Sequence, residues 1–345
     1  MRRVVVMVAL LLAVTQLSAQ EPEKFKNVQL LKDLTPGQLG DTMDLMRASL
    51  GVGCDFCHER KDKDIDFASD AKEEKKTARE MIKIVLDTND KFFNKRAVVT
   101  CNTCHRGSTN PVGLVSLPQA VPVFPTPERK RPTLPARDEI VAKYAAAVGK
   151  IDKSALSTIT MKGVRETANG AKSDLEISRK DGKTRSSSPQ ATIVLAPTGS
   201  WMSSKQTGTR EMTAEQREQL EEQNRALQFV TPEDVPADAR VVRKDKINDR
   251  EVYVLQSTIA PKVRQRLYFD AENGLLVRRV LLTSLPIGDS PTQVDYSDYR
   301  EVDGFKLPYS IDLESPDPYL SSRRHFSEIH PNAKVDDKVF EMPKS

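Results

Sequence analysis

The chain of 345 residues predicts an α+β architecture in two unlike parts: a helical N-terminal domain over residues 21–110 and a mainly antiparallel β domain over 137–345. Three observations predict it. Capping signals and apolar residues at helical spacing fill the first part, while β-branched and aromatic runs bounded by Gly, Pro, Asn or Asp fill the second. Between them, seven prolines crowd residues 111–136 (Pro111, Pro118, Pro122, Pro125, Pro127, Pro132 and Pro135), a density that forbids a helix and predicts an extended linker.

Composition excludes several classes of function. Charged residues make up 30% of the chain and the mean hydropathy is −0.50, which rules out a polytopic membrane protein. The net charge of +4 arises from 53 basic and 49 acidic residues; without Arg2 and Arg3 of the leader it falls to about +2, too balanced for a nucleic-acid binder. Four cysteines in a chain of this length do not make a disulfide-stapled scaffold.

Residues 1–20 have the form of a secretory signal peptide: Met-Arg-Arg, an apolar run from Val4 to Val14, and small or polar residues around Ser18-Ala19-Gln20. The apolar run is short for a membrane span, so an uncleaved anchor is the second choice. The expectation is an exported, periplasmic protein, peripherally associated with a membrane at most.

In the first domain, Thr35-Pro36-Gly37-Gln38 is a capping box with proline at the first helical position, and Leu34 with Leu39 supplies the staple. Leu39, Met43, Met46 and Leu50 share one face, and Gly51 and Gly53 stop the helix. A second helix is expected from Asp70, with Glu73 as its capping partner and Ala78, Met81, Ile82, Val85 and Leu86 as its stripe. Its Lys72, Lys75, Lys76 and Arg79, interspersed with glutamates, read as a solvated face. Each helix leads into a cysteine motif, so the segment is a degenerate duplication.

In the second domain, strands are expected at Ala191–Ala196, Glu251–Ser257, Gln265–Asp270, Leu275–Thr283 and Phe305–Leu313, with a helix near Thr213–Leu227. Regular strand spacing predicts an antiparallel sheet, curved or partly closed. Asn273-Gly274 and Asp303-Gly304 suit tight hairpins. His325 and His330, at odd spacing in a late strand (Arg323–His330), are expected on opposite faces, as surface histidines and not as a joint metal site.

The chemistry lies in Cys54-Asp55-Phe56-Cys57-His58 and Cys101-Asn102-Thr103-Cys104-His105. C-x-x-C-H is the attachment pattern of c-type haem: two thiols one helical turn apart match the two vinyl groups, and the next residue places an imidazole on the iron. The two motifs use every cysteine and half of the four histidines. A thioredoxin-like pair would need a βαβ context that neither segment has. Zinc would leave both histidines unexplained and would need thiolates in an oxidising compartment. Two covalently bound haem c groups are therefore expected, on Cys54, Cys57, Cys101 and Cys104, with His58 and His105 as proximal ligands.

No other histidine precedes residue 325, so bis-histidine ligation within the first domain is excluded. Methionine is then the candidate distal ligand, which raises the potential. For the first haem the choices are Met43 and Met46, with Met43 preferred. For the second, Met81 is the only methionine between the motifs.

A methionine-bearing helix followed by Leu50-Gly51-Val52-Gly53-Cys54-Asp55-Phe56-Cys57-His58 resembles the repeat of the photosynthetic reaction-centre cytochrome c subunit. So does Ala78-Arg79-Glu80-Met81-Ile82 followed by Val99-Thr100-Cys101-Asn102-Thr103-Cys104-His105-Arg106-Gly107. The likeness covers residues 30–110. It implies helix–turn–motif units in which Met43 pairs with His58 and Met81 with His105. That family's subunit re-reduces a photo-oxidised chlorophyll pair, usually with four haems, which would make redox donor and acceptor proteins, among them a membrane-bound complex or reaction centre, the partners.

In the second domain, Tyr268-Phe269-Asp270, Asn273-Gly274-Leu275-Leu276, Asp295-Tyr296-Ser297-Asp298-Tyr299-Arg300 and Val302-Asp303-Gly304-Phe305-Lys306-Leu307-Pro308 resemble the half-barrel of periplasmic lipoprotein-sorting proteins. That resemblance implies a curved sheet around a helix, able to shelter an acyl chain. Three functions compete: a dihaem electron carrier, which is not an enzyme and is the preferred reading; a dihaem peroxidase, which needs an open iron position; and a lipid- or partner-binding module whose haems sense redox state.

Overall fold

A computed structural model describes residues 26–115, 117–118, 133–150 and 153–343. The leader expected over 1–20 and most of the proline-rich segment lie outside the described residues.

The N-terminal helical part starts with α1 (Pro36–Leu50), which begins and ends as its sequence dictates. Thr35 and Gln38 form the reciprocal capping box, and Gly51 takes the left-handed cap at φ 70°. A Cβ on Gly51 would lie 2.3 Å from the Gly107 carbonyl oxygen, so backbone meets backbone there. The Gly107 N–H also donates to the Ser49 carbonyl at 2.8 Å, tying the end of the second cysteine motif to α1. The one-turn helix α2 (Cys54–Cys57) leads into a small hairpin of β1 (Glu59–Lys61) and β2 (Asp64–Asp66). The long helix α3 (Glu73–Phe93) and the one-turn α4 (Cys101–Cys104) complete this part.

Helix α3 starts three residues later than expected, with Lys72 at its cap. Asp70 is engaged elsewhere: its carboxylate takes Arg79 at 2.8 Å and Lys75 at 3.1 Å. The solvated face expected for the basic stretch is therefore only partly correct. Lys75 is buried and donates to the carbonyls of Phe67, Ala68 and Ser69, so it organises the loop that enters the helix.

Helix α5 (Arg137–Val148), which the sequence reading missed, opens the second part. Six strands follow: β3 (Thr158–Thr167), β4 (Lys172–Lys180), β5 (Lys183–Ser187), β6 (Ala191–Leu195), β7 (Trp201–Ser204) and β8 (Gly208–Glu211). Then come α6 (Ala214–Ala226), β9 (Arg240–Ile247), β10 (Arg250–Ala260), β11 (Val263–Asp270) and β12 (Leu276–Leu285). The last strands are β13 (Gly288–Val302), β14 (Phe305–Glu314) and β15 (Ser322–Pro331).

These strands form one antiparallel sheet of 13, ordered β8-β7-β6-β5-β4-β3-β15-β14-β13-β12-β11-β10-β9. The chain walks from β3 to one edge, crosses on α6, and returns from the opposite edge until β15 closes against β3. The result is an open half-barrel, as expected. Helix α6 packs on the concave face, and Ile140, Tyr144 and Val148 of α5 join Phe269, Leu276 and Leu307 in the main core.

Asp303-Gly304 makes the two-residue hairpin turn with both residues at positive φ. Asn273-Gly274 instead belongs to a longer connection, because Asp270 accepts the N–H groups of Glu272 and Asn273 and holds the loop open. The opposite-face expectation for His325 and His330 is overturned, although both are surface histidines as expected. A bulge between Phe326 and Glu328 shifts the strand's phase, so both histidines are exposed on the outer side. His325 meets Ser310 and His330 meets Glu328.

The two parts are joined by more than the linker. The turn between β12 and β13 inserts Ile287, fully buried, between Ile82 and Val85 of α3. Gly288 beside it leaves only 3.2 Å between a would-be Cβ and Leu45 or Thr100. Glu218 of α6 accepts from Thr35 Oγ1 at 2.6 Å and from the Gly37 N–H at 3.2 Å, and Arg47 pairs with Asp317 at 2.8 Å.

Candidate haem clefts

Each C-x-x-C segment is a single helical turn closed by its own histidine. The His58 N–H donates to the Cys54 carbonyl and the His105 N–H to the Cys101 carbonyl, both at 3.0 Å. This turn sets the two sulfurs of each pair on one side and brings the imidazole directly after them. None of the four cysteines forms a disulfide, so all keep thiols available for thioether chemistry. Burial pushes the thiols of Cys57 and Cys101 above their ordinary pKa, holding them neutral.

Two clefts receive these motifs. The first, about 260 Å³, is lined by Met43, Met46, Cys54, Cys57 and His58, with Leu39 and Ile82 among its apolar walls. The second, about 360 Å³, is lined by Met81, Cys101, Cys104 and His105, with Leu50 and Val85 among its apolar walls. All sequence-predicted site residues thus lie in one cleft or the other. Met46, Cys57, Ala78 and Ile82 line both, so the clefts share a wall.

The methionines differ in setting. Met43 and Met81 lie in their clefts with 37% and 40% of their surface exposed, whereas Met46 packs onto the small core around Ile82, Val85 and Ile287. Phe56 and Phe67, each 37% exposed, add uncovered apolar surface at the cleft margins. Paired thiols, one imidazole, a thioether sulfur and large apolar side chains are the donor set and lining a haem c requires, so the residues fit that group.

The imidazoles are oriented differently. The His105 Nδ1 lies 2.9 Å from the Ser108 carbonyl, which fixes its proton there and leaves Nε2 to act as a ligand. The His58 ring packs edge-on against Phe67, with centroids 5.1 Å apart. Burial lowers its pKa, aided by Lys75 and Arg79 and opposed by the Phe67 backbone, so the ring is held neutral, the form that ligates iron.

Several supporting residues escaped the sequence reading. Lys72 donates to the Asp55 carbonyl at 2.5 Å and steadies the first motif. Asn89, buried on α3, accepts the N–H groups of Val98 and Val99 and donates to the Val99 carbonyl at 2.7 Å. It thereby pins the loop that delivers Cys101. The only sequence signal for this role is a polar residue on an apolar stripe. Asn89→Ala is expected to lose about 3 kcal/mol, at roughly 1 kcal/mol for each of its hydrogen bonds. Chemical unfolding of the haem-loaded protein would measure it, and a loss below about 1 kcal/mol would refute the pinning role.

Glu215 and Gln219 of α6 also line the first cleft, so the sheet-bearing part supplies some of its wall. No length pattern in the sequence announces this. Among the described residues no helix is long and apolar enough to cross a membrane, and no further cluster of His, Cys, Asp or Glu has metal-binding geometry.

Comparison with known proteins places these features. Residues 5–126 match the family described as "Photosynthetic reaction centre cytochrome C subunit". The chain is 34% identical over 90 residues to cytochrome c-554 of Chloroflexus aurantiacus, covering 24% of this chain and 21% of that protein. It is 38% identical over 94 residues to the photosynthetic reaction center cytochrome c subunit of Thermochromatium tepidum, covering 26% and 22%. The matched part thus spans about a fifth of the length of these relatives. Among solved structures, a LolA superfamily protein from Nitrosomonas europaea is similar over 60% of this chain and 98% of its own, at 14% identity and a TM-score of 0.37. An outer membrane lipoprotein-sorting protein domain from Vibrio parahaemolyticus is similar over 59% and 94%, at 10% identity and a TM-score of 0.37. The N-terminal segment is similar to reaction-centre cytochrome c subunits, which supports a c-type cytochrome role.

Proposed function

We propose that this protein is an exported dihaem c-type cytochrome that passes single electrons between redox partner proteins. The observation that carries the reading is the pairing inside each cleft: one C-x-x-C-H motif shares the cleft with a methionine of its own, Met43 in the first and Met81 in the second, while Met46 lies in the wall common to both. Bound haem iron would supply one-electron chemistry without bond making at the protein.

The chain's own residues supply the rest. Cys54 and Cys57 would tether one group, and Cys101 and Cys104 the other. His58 and His105 would each supply an imidazole ligand to the iron, and Met43 and Met81 a thioether ligand. Greater exposure in the cleft favours Met43 over Met46, which is partly buried against Ile82, Val85 and Ile287 in the shared wall. Met46, Cys57, Ala78 and Ile82 line both clefts, so the two groups would occupy neighbouring sites, as electron transfer between them requires. We further propose the division into a leader over 1–20, a dihaem domain over 21–110, a linker over 111–136 and a β domain over 137–345. By similarity to the reaction-centre subunits, a membrane-bound electron-transfer complex is the partner class proposed, reached from the periplasmic side.

The test is a redox-titrated visible spectrum of the purified protein and its methionine variants. Met43→Ala and Met81→Ala are each expected to remove about half of the methionine–iron absorbance and lower one of two potentials, while Met46→Ala leaves the band intact. Loss of the band in Met46→Ala, with Met43→Ala unaffected, would transfer the ligand role to Met46. A high-spin resting haem with rapid peroxide turnover would replace the carrier reading with an enzyme.

A further inference from the structure

The two clefts differ in what walls them. Glu215 and Gln219 of α6, a helix of the β part, line the first cleft beside Gly40 and Met43, whereas every residue lining the second comes from 46–109. Ile287 reaches α3 from the sheet but lines neither cleft.

The contact with α6 is built into α1. Glycine inside a helix is unfavourable relative to alanine, yet α1 carries two in its first five residues, Gly37 and Gly40. Neither has a positive φ that would require glycine; both make room for α6. A Cβ on Gly37 would lie 2.6 Å from the Glu218 carboxylate, and one on Gly40 would lie 2.9 Å from Nε2 of Gln219. Glu218 accepts from the Gly37 N–H, so α6 satisfies a donor that the first turn of α1 leaves without an intrahelical partner. Gly40 stands one turn before Met43, so the notch that seats Gln219 adjoins the candidate ligand.

Helix α6 is in turn fixed to the sheet. Glu222 accepts from Thr283 Oγ1 at 2.5 Å, and the Arg225 carbonyl accepts from Arg279 at 3.0 Å. Farther along, Leu220 and Gln223 bound a concave cavity of about 280 Å³, lined also by Arg179 and by Arg165 and Arg324, which oppose each other across β3 and β15. The helix thus runs from the interior of the half-barrel to the first cleft. Met43 needs this support: its side chain is flexible and 37% exposed, so burial does not fix its rotamer. Met81 sits on a helix of 21 residues without glycine, and its cleft has no wall from the β part.

We propose that the β part sets the first haem site through α6: Gln219, seated against Gly40, is a positioning residue that holds Met43 toward the iron, and the second site is free of this control. The inference rests on the dihaem reading and deepens it.

Imidazole titration of the full-length, haem-loaded protein tests it, because imidazole binds only where the methionine has released and its apparent affinity follows the released fraction. Gln219→Ala is expected to tighten imidazole binding about tenfold at one haem per chain and to leave the other within about twofold. Gly40→Ala, whose methyl displaces the flexible end of Gln219, should do the same while the melting midpoint holds or rises, since alanine favours the helix. A merely structural lesion would lower that midpoint and loosen both haems alike. The effect of Gln219→Ala should persist in a Met81→Ala background and vanish in a Met43→Ala background, where no ligand is left to position. The inference is overturned if neither haem responds, if both respond alike, or if Gln219→Ala still acts after Met43→Ala. A chain with fewer than two haems, or one in which Met43→Ala opens no iron to imidazole, overturns the dihaem reading and the inference with it.

Discussion

Replacing Cys101 and Cys104 with serine is expected to reduce covalently attached haem from two groups per chain to one. The two motifs use separate thiol pairs, each on its own one-turn helix and in its own cleft, so loss of one pair leaves the other attachment chemistry intact. Serine keeps the size and the turn but cannot form a thioether. The remaining group should keep the Met43 and His58 environment, because the contacts between clefts run through Met46, Cys57, Ala78 and Ile82, none of which is altered. An alkaline pyridine haemochrome measurement per mole of chain would read the ratio directly. A ratio still at two in the variant, or of zero in the unaltered protein, would refute the covalent assignment.

The second large effect is expected at Ile287. This side chain belongs to the β12–β13 turn, yet its neighbours are Ile82 and Val85 of α3 together with Leu45, Met46 and Leu86. The helical part is small, and its buried apolar cluster is completed by a residue of the sheet. Ile287→Ala should cost about 2–5 kcal/mol through lost packing and the cavity left behind. Ile287→Asp should cost more, because a carboxylate would be buried with no cation beside it. Since the side chain bridges the two parts, the cost should fall on their association. Melting followed in the haem band and in the far-ultraviolet should coincide in the unaltered protein and separate in the aspartate variant. Coincident transitions at an unchanged midpoint would refute the bridging role.

Much of the candidate haem site is legible in the sequence, because it depends on local spacing. One helical turn between thiols and an adjacent imidazole are properties of five consecutive residues, and the capping boxes at Thr35 and Thr213 are equally local. Strands with clear β-branched runs, such as β10 and β14, were found for the same reason. Strands β4 and β5 were missed because Lys, Arg, Ser and Glu dominate their sequences; β3 was missed although Thr158-Ile159-Thr160 begins it, and the inward residues of β3 and β4 include the very arginines that line the concave cavity. A sheet face built to hold charge does not alternate in hydropathy, so periodicity cannot reveal it. The bulge in β15, which turned both His325 and His330 outward, is likewise a matter of pairing with β3 and not of composition.

By itself the sequence determined the attachment motifs, the histidines that follow them, the three methionines in question and the division into helical and β parts, since each is written in contacts no more than a few turns apart. Only the tertiary structure decided that the two clefts share a wall, that Met46 stands in that wall against Ile82 while Met43 is the more exposed, that Ile287 couples the parts, and that Arg165 and Arg324 stand opposite each other. These facts depend on residues far apart in the chain being packed together, and the local pattern around each residue carries no information about which distant partner it meets.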